Sequence, residues 1–376
     1  MKLLIVDNGW VCVGREGIRV SPRVREFLLD CTEYFDARTY LCSSPSHSLD
    51  QYCGVPLDRD LVRVVSVPAR GRRRWARLLS YLCNFGVVWR AIRESDFLYV
   101  SFPGNVPLCS VGVSRLLRKP YGVYLRGELG RNSWWWRWTM SGARFVIAEG
   151  EVLADAARRF CDDVELAVPM CPLPRVAPDR KKSIRMEGPW RLLYVGRLEE
   201  RKGTPELLEA MVLLNQRGID CRLDLVGQDY LDRLPEHVAI LGDRIHCVGV
   251  VTDDDLLGRY YAAADLFCLP SHDEGFPRVL YEAMIHGVPI VTTFVGSIAG
   301  IMKDGVNCLR VDVRSPVALA DTIERALADA ELRRRLCENG RATMEPICRQ
   351  SEESSHAKQL ASKIAAHQSH NGNRSK

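Results

Sequence analysis

The sequence lacks any apolar run long enough to cross a membrane as a helix. No stretch of about 18 apolar residues occurs, which is the length a spanning helix needs. The apolar run at residues 3–6 is ended by Asp7 and Asn8, so it is too short for the hydrophobic region of a secretory signal. We therefore expect a protein that stays in the cytoplasm.

A disulfide framework and a strong charge excess are also missing. The fourteen cysteines are scattered from Cys12 to Cys348, without a Cys-x-x-Cys pair or a zinc-type cluster. The 52 basic residues exceed the 47 acidic residues by only 5, which does not argue for a nucleic-acid partner. We expect reduced thiols that pack as small apolar side chains.

What the sequence has is an alternation of short β-rich runs with longer helical patterns, which predicts parallel sheets covered on both faces and an α/β fold class. The predicted strands lie near 2–6, 37–42, 62–67, 97–101, 121–125, 144–148, 164–168, 191–195, 221–226, 245–248, 265–269, 289–293 and 307–311.

A proline-rich segment at 169–178 and the basic run Arg180, Lys181 and Lys182 predict a linker between two Rossmann-like domains. In such sheets ligands bind beyond the carboxyl ends of the strands, so the two sheets are expected to face each other across a cleft. The predicted boundaries are a first domain at 1–170, a linker at 171–189, a second domain at 190–350, a helix at 351–367 and a disordered tail at 368–376.

Several helix starts carry capping signals. Ser21, Thr204 and Ser315 each precede a proline, which predicts a capping hydroxyl followed by proline at the first helical position. Thr252 with Asp255 approximates a capping box. The acidic residues at 253–255 are spaced like a metal motif, but acidic residues also favour the first turn of a helix, and we prefer that interpretation.

The string from Glu274 to Pro289 is the strongest chemical signal. Gly275 lets the backbone approach a ligand closely, and Pro277 suits the first position of a helix whose free amides form an anion site. Glu282, inside that helix, would accept hydrogen bonds from ribose hydroxyls, and Glu274 from sugar hydroxyls. Either glutamate alone would more often be a solvated surface charge.

A second string runs from Leu193 to Thr204 and places Arg197 and Lys202 between a strand and a helix. Two cations at a helix start can neutralise a diphosphate. The Walker spacing fails, because no glycine precedes Lys202. The alternative is a solvated loop with both cations facing water.

Together these strings resemble glycosyltransferase family 4, whose members are retaining enzymes of the GT-B fold. The resemblance covers roughly 190–330 and includes the segments 248–251, 260–265, 270–271 and 304–307. It implies that Arg197 and Lys202 hold the donor diphosphate, that Glu282 binds ribose and that Glu274 lies by the donor sugar. It also implies a helix at 351–367 that crosses back onto the first domain.

The resemblance extends the candidate donor site to the segment beside the base and to the helix start. The full set is Arg197, Lys202, Val250, Val251, Glu274, Gly275, Phe276, Pro277 and Glu282.

In the first half, Gly14 and Gly17 resemble the flexible glycine loop of that family, although a plain turn fits equally simply. The family's histidine near the donor sugar is missing: the corresponding run ends in Arg126, Gly127 and Glu128. Arg126 or Glu128 is the candidate replacement, since the half's one histidine, His47, lies in an apparent loop.

Two regions suggest contact with a membrane surface. Residues 71–93 form a basic amphipathic stretch, and residues 134–138 hold four tryptophans and an arginine. Tryptophan beside arginine suits a membrane interface, which a lipid-linked acceptor requires. The alternative is that these segments pack on the first sheet.

The sequence thus predicts a retaining glycosyltransferase that moves a hexose from a nucleotide-diphospho-sugar to a hydroxyl of a glycan or lipid-linked acceptor. Neither a metal nor another cofactor is expected, and nucleic acid is not an expected partner. The rival predictions are a non-catalytic nucleotide-sugar-binding subunit and an epimerase or phosphorylase of similar fold.

Overall fold

The computed structural model describes residues 1–14, 17–45, 54–58, 60–69, 85–126, 134–168, 184–228, 239–274, 277–296 and 298–372. The chain divides into two compact units, Met1–Pro172 with Ser351–Lys376, and Leu173–Gln350. The predictions for His47, for residues 71–84, for Glu128, and for Gly275 and Phe276 lie outside the described residues.

In the described part of the first unit, seven parallel strands form one sheet in the order β10-β9-β8-β7-β1-β4-β6. A small antiparallel sheet, β2-β3-β5, accompanies it. The strands are β1 Lys2–Trp10, β2 Cys12–Gly14, β3 Gly17–Val20, β4 Ala37–Pro45, β5 Val55–Leu57, β6 Arg63–Ala69, β7 Phe97–Phe102, β8 Tyr121–Leu125, β9 Val146–Ala148 and β10 Val164–Leu166.

The described part of the second unit holds six parallel strands in the order β13-β12-β11-β14-β15-β16. The chain adds strands to one side of β11 and then crosses to β14 on its other side, so the strand order reverses between β11 and β14. These strands are β11 Trp190–Val195, β12 Cys221–Val226, β13 Ile245–Gly249, β14 Leu266–Leu269, β15 Ile290–Thr293 and β16 Leu309–Val311.

The helices cover both faces of the first sheet. Apolar side chains of α2 to α5 join a core on one face, and those of α1 and α11 join a second core on the other. The described helices of the chain are α1 Pro22–Tyr34, α2 Phe85–Glu94, α3 Asn105–Leu116, α4 Trp134–Met140, α5 Glu151–Arg158, α6 Thr204–Gln216, α7 Asp254–Ala263, α8 Arg278–Ile285, α9 Pro316–Ala328, α10 Ala330–Glu353 and α11 His356–Gly372.

Of the predicted proline caps, one forms a side-chain capping bond. Ser21 accepts a bond from the amide of Val24 at 3.4 Å. Ser315 precedes α9 without a side-chain bond, because its backbone adopts φ −125° and ψ 80°. Thr204 is itself helical, and the cap of α6 is Gly203.

Two other helix boundaries differ from the prediction by a single position. Asp253, rather than Thr252, caps α7, because its carboxylate reaches the amide of Leu256 at 2.8 Å. Pro277 is the cap of α8 rather than its first helical residue.

The last helix is shifted along the chain relative to the prediction: it begins at His356 rather than at 351. It continues to Gly372, five residues beyond the predicted end of the helix at 367 and into the segment predicted as a disordered tail. Side chains near its end are bonded within the first unit: the His367 ring lies 2.9 Å from the carboxylate of Asp163, and Lys363 Nζ donates to the same carboxylate at 2.5 Å. These contacts supply the packing that the polar composition alone does not predict.

Candidate active site

Two of the predicted loops follow the two strands at which the strand order reverses. Leu192 and Leu193 of β11 pair with Leu266 and Phe267 of β14. The segments after both strands therefore lie side by side at the carboxyl edge of the sheet. This is the position at which open α/β sheets bind ligands.

Lys202 and Glu274 meet at this edge. Lys202 Nζ donates to Glu274 Oε1 at 2.5 Å, and the side chains are only 15% and 8% exposed. The hydroxyl of Ser271 donates to the same oxygen at 2.8 Å. The structure thus brings together two residues that are far apart in sequence, and it fixes the carboxylate from two sides.

Glu282 lies on α8 with its carboxylate held between two neighbours. Arg278 Nε is 2.9 Å from Oε1, and the hydroxyl of Tyr261 donates to Oε2 at 3.0 Å. Burial, together with the charge of Glu282, raises the pKa of Tyr261 well above its usual range, so the phenol stays a donor. A carboxylate has about four lone-pair positions, so Glu282 can still accept hydrogen bonds from ligand hydroxyls.

Gly203 allows the two segments to come this close. Its φ is +70°, and a Cβ atom at this position would lie 2.0 Å from the carbonyl oxygen of Pro270. Only glycine combines that backbone conformation with that contact. The close approach holds Lys202, the preceding residue, against the turn that leads to Glu274.

The remaining donor-site candidates are more exposed. Arg197 is 53% exposed and makes an ion pair with Glu199 at 3.2 Å. Val250 is 46% exposed, whereas Val251 packs against the core of this unit. These residues follow strands at the carboxyl edge of the sheet, but their side chains are not held by buried hydrogen bonds as those of Lys202 and Glu274 are.

In the first unit, Arg126 follows β8 and is bonded to a buried carboxylate. Its Nη2 donates to Asp7 Oδ1 at 2.6 Å, and the hydroxyl of Tyr40 donates to Asp7 Oδ2 at 3.2 Å. Asp7 is 4% exposed. Arg126 is thus oriented by its partner, and an arginine without a neutral form at ordinary pH does not reproduce the acid–base chemistry of a histidine.

The two glycines of the predicted loop have a definite place in the fold. Gly14 ends β2, Gly17 begins β3, and the two residues pair across the antiparallel strands. Gly17 has a φ of +124°, a conformation that favours glycine.

Three residues near the donor candidates escaped the sequence analysis as functional residues. Tyr261 supports Glu282, and His272 forms a hydrogen-bonded pair with Glu206 at 2.9 Å, beside Glu274 and Lys202. No local pattern identifies them, because each partner comes from a different βα unit.

The described residues contain no group of three or more histidine, cysteine, aspartate or glutamate side chains placed to hold a metal ion. No helix in the described part of the chain is long and apolar enough to span a bilayer.

The fold and this edge define a class of α/β protein: parallel sheets with a lysine and carboxylates at the point where the strand order reverses. Residues 176–343 match the family "Glycosyl transferases group 1". This part of the chain, a little under half of it, is therefore similar to the group 1 glycosyltransferases.

The curated relatives carry related names. A D-inositol 3-phosphate glycosyltransferase of Salinispora arenicola is 30% identical over 236 residues, which are 52% of this chain and 52% of that protein. An alpha-D-kanosaminyltransferase of Streptomyces kanamyceticus is 30% identical over 39% of each chain. The chain thus spans about half the length of the first of these relatives and less of the second.

Solved structures share the fold over nearly the whole chain. HepE of Anabaena, crystallised with UDP and glucose, is 20% identical and has a TM-score of 0.63, covering 94% of this chain and 98% of that one. Sucrose-phosphate synthase of Thermosynechococcus elongatus is 21% identical, also with a TM-score of 0.63, covering 97% and 100%. At these identities the likeness shows the fold alone: this chain has the GT-B fold with two Rossmann-like units.

Proposed function

We propose that this protein is a retaining glycosyltransferase whose second unit binds a nucleotide-diphospho-sugar and whose first unit binds the acceptor. The donated sugar is a hexose, and the acceptor presents a hydroxyl of a glycan or of a lipid-linked sugar. The observation that carries this proposal is the meeting of Lys202 and Glu274 at the strand-order switch, with Glu282 on the helix that follows.

The site has the charges that this reaction needs. Breaking the sugar–phosphate bond builds negative charge on the leaving diphosphate, which Lys202, Arg197 and the first amides of α8 would stabilise without a metal. In this structure Lys202 is paired with Glu274 at 2.5 Å. The diphosphate would compete for Lys202, and Glu274 would turn its lone pairs to the sugar hydroxyls.

The acceptor side of the proposal includes contact with a membrane surface. Trp134 and Trp135 are 62% and 50% exposed on α4, with their rings 4.5 Å apart. Trp138 of the same helix lies under the guanidinium of Arg115 at 4.7 Å. The exposed Trp134 and Trp135, with the exposed Arg137 on the same helix, favour the headgroup region of a bilayer, where a lipid-linked acceptor would be presented.

The donor assignment is tested by thermal melting with UDP-glucose, UDP-N-acetylglucosamine, GDP-mannose and ADP-glucose. A ligand that binds the folded state alone raises the melting temperature once its concentration exceeds Kd. We expect one of these to stabilise the wild type and Glu282→Ala to lose most of that shift. Glu338→Ala is the matched control, since Glu338 is an exposed glutamate of α10.

A wild type that no nucleotide-sugar stabilises at millimolar concentration contradicts the donor site. Stabilisation without release of nucleoside diphosphate, even with membrane and glycan extracts as acceptors, favours the non-catalytic nucleotide-sugar-binding subunit. That rival has one structural observation in its favour, which is the bonding of Arg126 to Asp7 where the family has a histidine. An inverted anomeric configuration in the product would refute the retaining course.

A further inference from the structure

The donor site depends on two chain segments that belong to different βα units. We name residues 200–206 the lysine segment, because it carries Lys202, and residues 270–274 the glutamate segment, because it carries Glu274. A sugar bound through one and a diphosphate bound through the other are aligned only if the segments keep a fixed separation.

Apart from the Lys202–Glu274 pair, two buried or backbone contacts join the segments. The amide of His272 donates to the carbonyl of Arg201 at 2.9 Å. The His272 ring Nε2 lies 2.9 Å from Glu206 Oε1, with the side chains 10% and 14% exposed. An ionised carboxylate can only accept, so Nε2 carries the proton in this bond.

The His272–Glu206 pair adds little to the free energy of unfolding. The second carboxylate oxygen of Glu206, Oε2, is buried and has no hydrogen-bond partner among the described residues. A buried carboxylate with an oxygen left unbonded costs free energy, and an apolar pair of similar volume would avoid that cost. A directional bond in this position instead fixes the geometry of the two segments.

The other side-chain contacts between the segments cannot keep their separation fixed once the donor is bound. Lys202 and Glu274 are the residues that the diphosphate and the sugar would engage. The side chains of the Arg201–Asp273 ion pair, at 3.3 Å, are 52% and 68% exposed. Exposed ion pairs contribute little free energy, so this pair does not fix the separation of the segments.

We propose that His272 and Glu206 are positioning residues of the donor site: their buried bond keeps Lys202 and Glu274 at a fixed separation while the donor occupies the site. This inference rests on the proposed function and adds to it two residues that need not touch the ligand.

The test compares two increments of binding. UDP alone engages the residues that hold diphosphate and ribose, whereas UDP-glucose also needs Glu274 aligned with the bound diphosphate. We expect His272→Leu to bind UDP with an affinity within about threefold of wild type. The additional affinity of UDP-glucose over UDP should fall about tenfold, because small misplacements of positioning groups cost this much. The kcat for UDP release should fall for the same reason. Titration calorimetry and an assay of UDP release measure the two effects.

The matched control is Asp273→Asn, which removes the exposed pair between the same two segments and should leave both quantities within about twofold of wild type. Glu206→Gln, which keeps the shape of the side chain and can still accept from the ring, should recover most of the activity that Glu206→Leu loses. Because the two residues act as one unit, the double variant His272→Leu with Glu206→Leu should lose no more than either single variant.

Equal losses of UDP and UDP-glucose affinity would mean a merely structural role and would overturn the inference, as would a folded His272→Leu variant with wild-type behaviour. If His272→Leu fails to fold, Glu206→Gln and Glu206→Leu decide by the same two measurements. GDP-mannose with GDP replaces the UDP pair if the wild type prefers it. A wild type that binds none of these ligands refutes the proposed function itself, and the inference falls with it.

Discussion

Lowering the pH should reduce the free energy of unfolding of the first unit, because one buried histidine is neutral in the folded state. His356 begins α11 and is 1% exposed. Its Nδ1 lies 2.8 Å from the carbonyl oxygen of Val168, and its Nε2 lies 2.8 Å from the hydroxyl of Tyr99. Because a carbonyl only accepts, Nδ1 carries the proton and Nε2 accepts from the tyrosine. The neutral ring is therefore fully bonded.

The magnitude follows from the pKa. Burial lowers the pKa of His356 to about 4 from 6.5, with the charges of Arg23 and Arg126 acting in the same direction and the bond to Val168 opposing. Between these two values the unfolded chain binds a proton that the folded chain does not. The stabilisation is therefore fully present above pH 6.5 and is lost as the pH falls through 4. A difference of 2.5 pKa units corresponds to about 3 kcal/mol, of which about 2 kcal/mol is lost by pH 5.

The measurement is urea unfolding of the wild type and of His356→Gln at pH 7.5 and pH 5. We expect the wild type to lose about 2 kcal/mol more than the variant between these two values, because glutamine does not titrate there. His246→Gln is the control, since the His246 side chain is 64% exposed, and it should keep the wild-type pH dependence. An equal loss in the wild type and in His356→Gln would refute the assignment of a buried neutral ring.

Two further substitutions test the packing that holds the second unit together. Gly203→Ala places a Cβ atom against the carbonyl of Pro270 at a φ of +70°, so it should abolish the nucleotide-sugar melting shift and lower the melting temperature. Arg333→Ala should cost about 3 kcal/mol in urea unfolding, because Arg333 is 1% exposed, its guanidinium donates to Ala326 O at 2.6 Å and lies 4.7 Å from the Trp190 ring, and the truncation leaves that buried carbonyl without its donor. Arg333→Lys should recover little of that loss, since an ammonium lacks the planar fork. A wild-type melting shift with nucleotide-sugar in Gly203→Ala, or wild-type stability in Arg333→Ala, would contradict these predictions.

The sequence predicts elements well where the signal is local. Short apolar runs predict the strands of both parallel sheets, because a strand buried on both faces is almost continuously apolar. They do not predict the small antiparallel sheet of β2, β3 and β5. Helix boundaries shift by one position where neighbouring groups compete, as when Asp253 rather than Thr252 reaches the helix amide. The last helix is bonded through Lys363 and His367 to Asp163, which lies about 200 residues earlier in the chain, and composition cannot reveal such contacts.

The sequence by itself determined which residues are candidates for the proposed donor site. Lys202, Glu274 and Glu282 are recognisable because each stands in a local string with its own strand, turn and helix start. Only the tertiary structure decided which of them meet. The pairing of Lys202 with Glu274 and of His272 with Glu206 exists because β14 crosses over to lie beside β11. A crossover brings together segments some seventy residues apart, and no local periodicity records it.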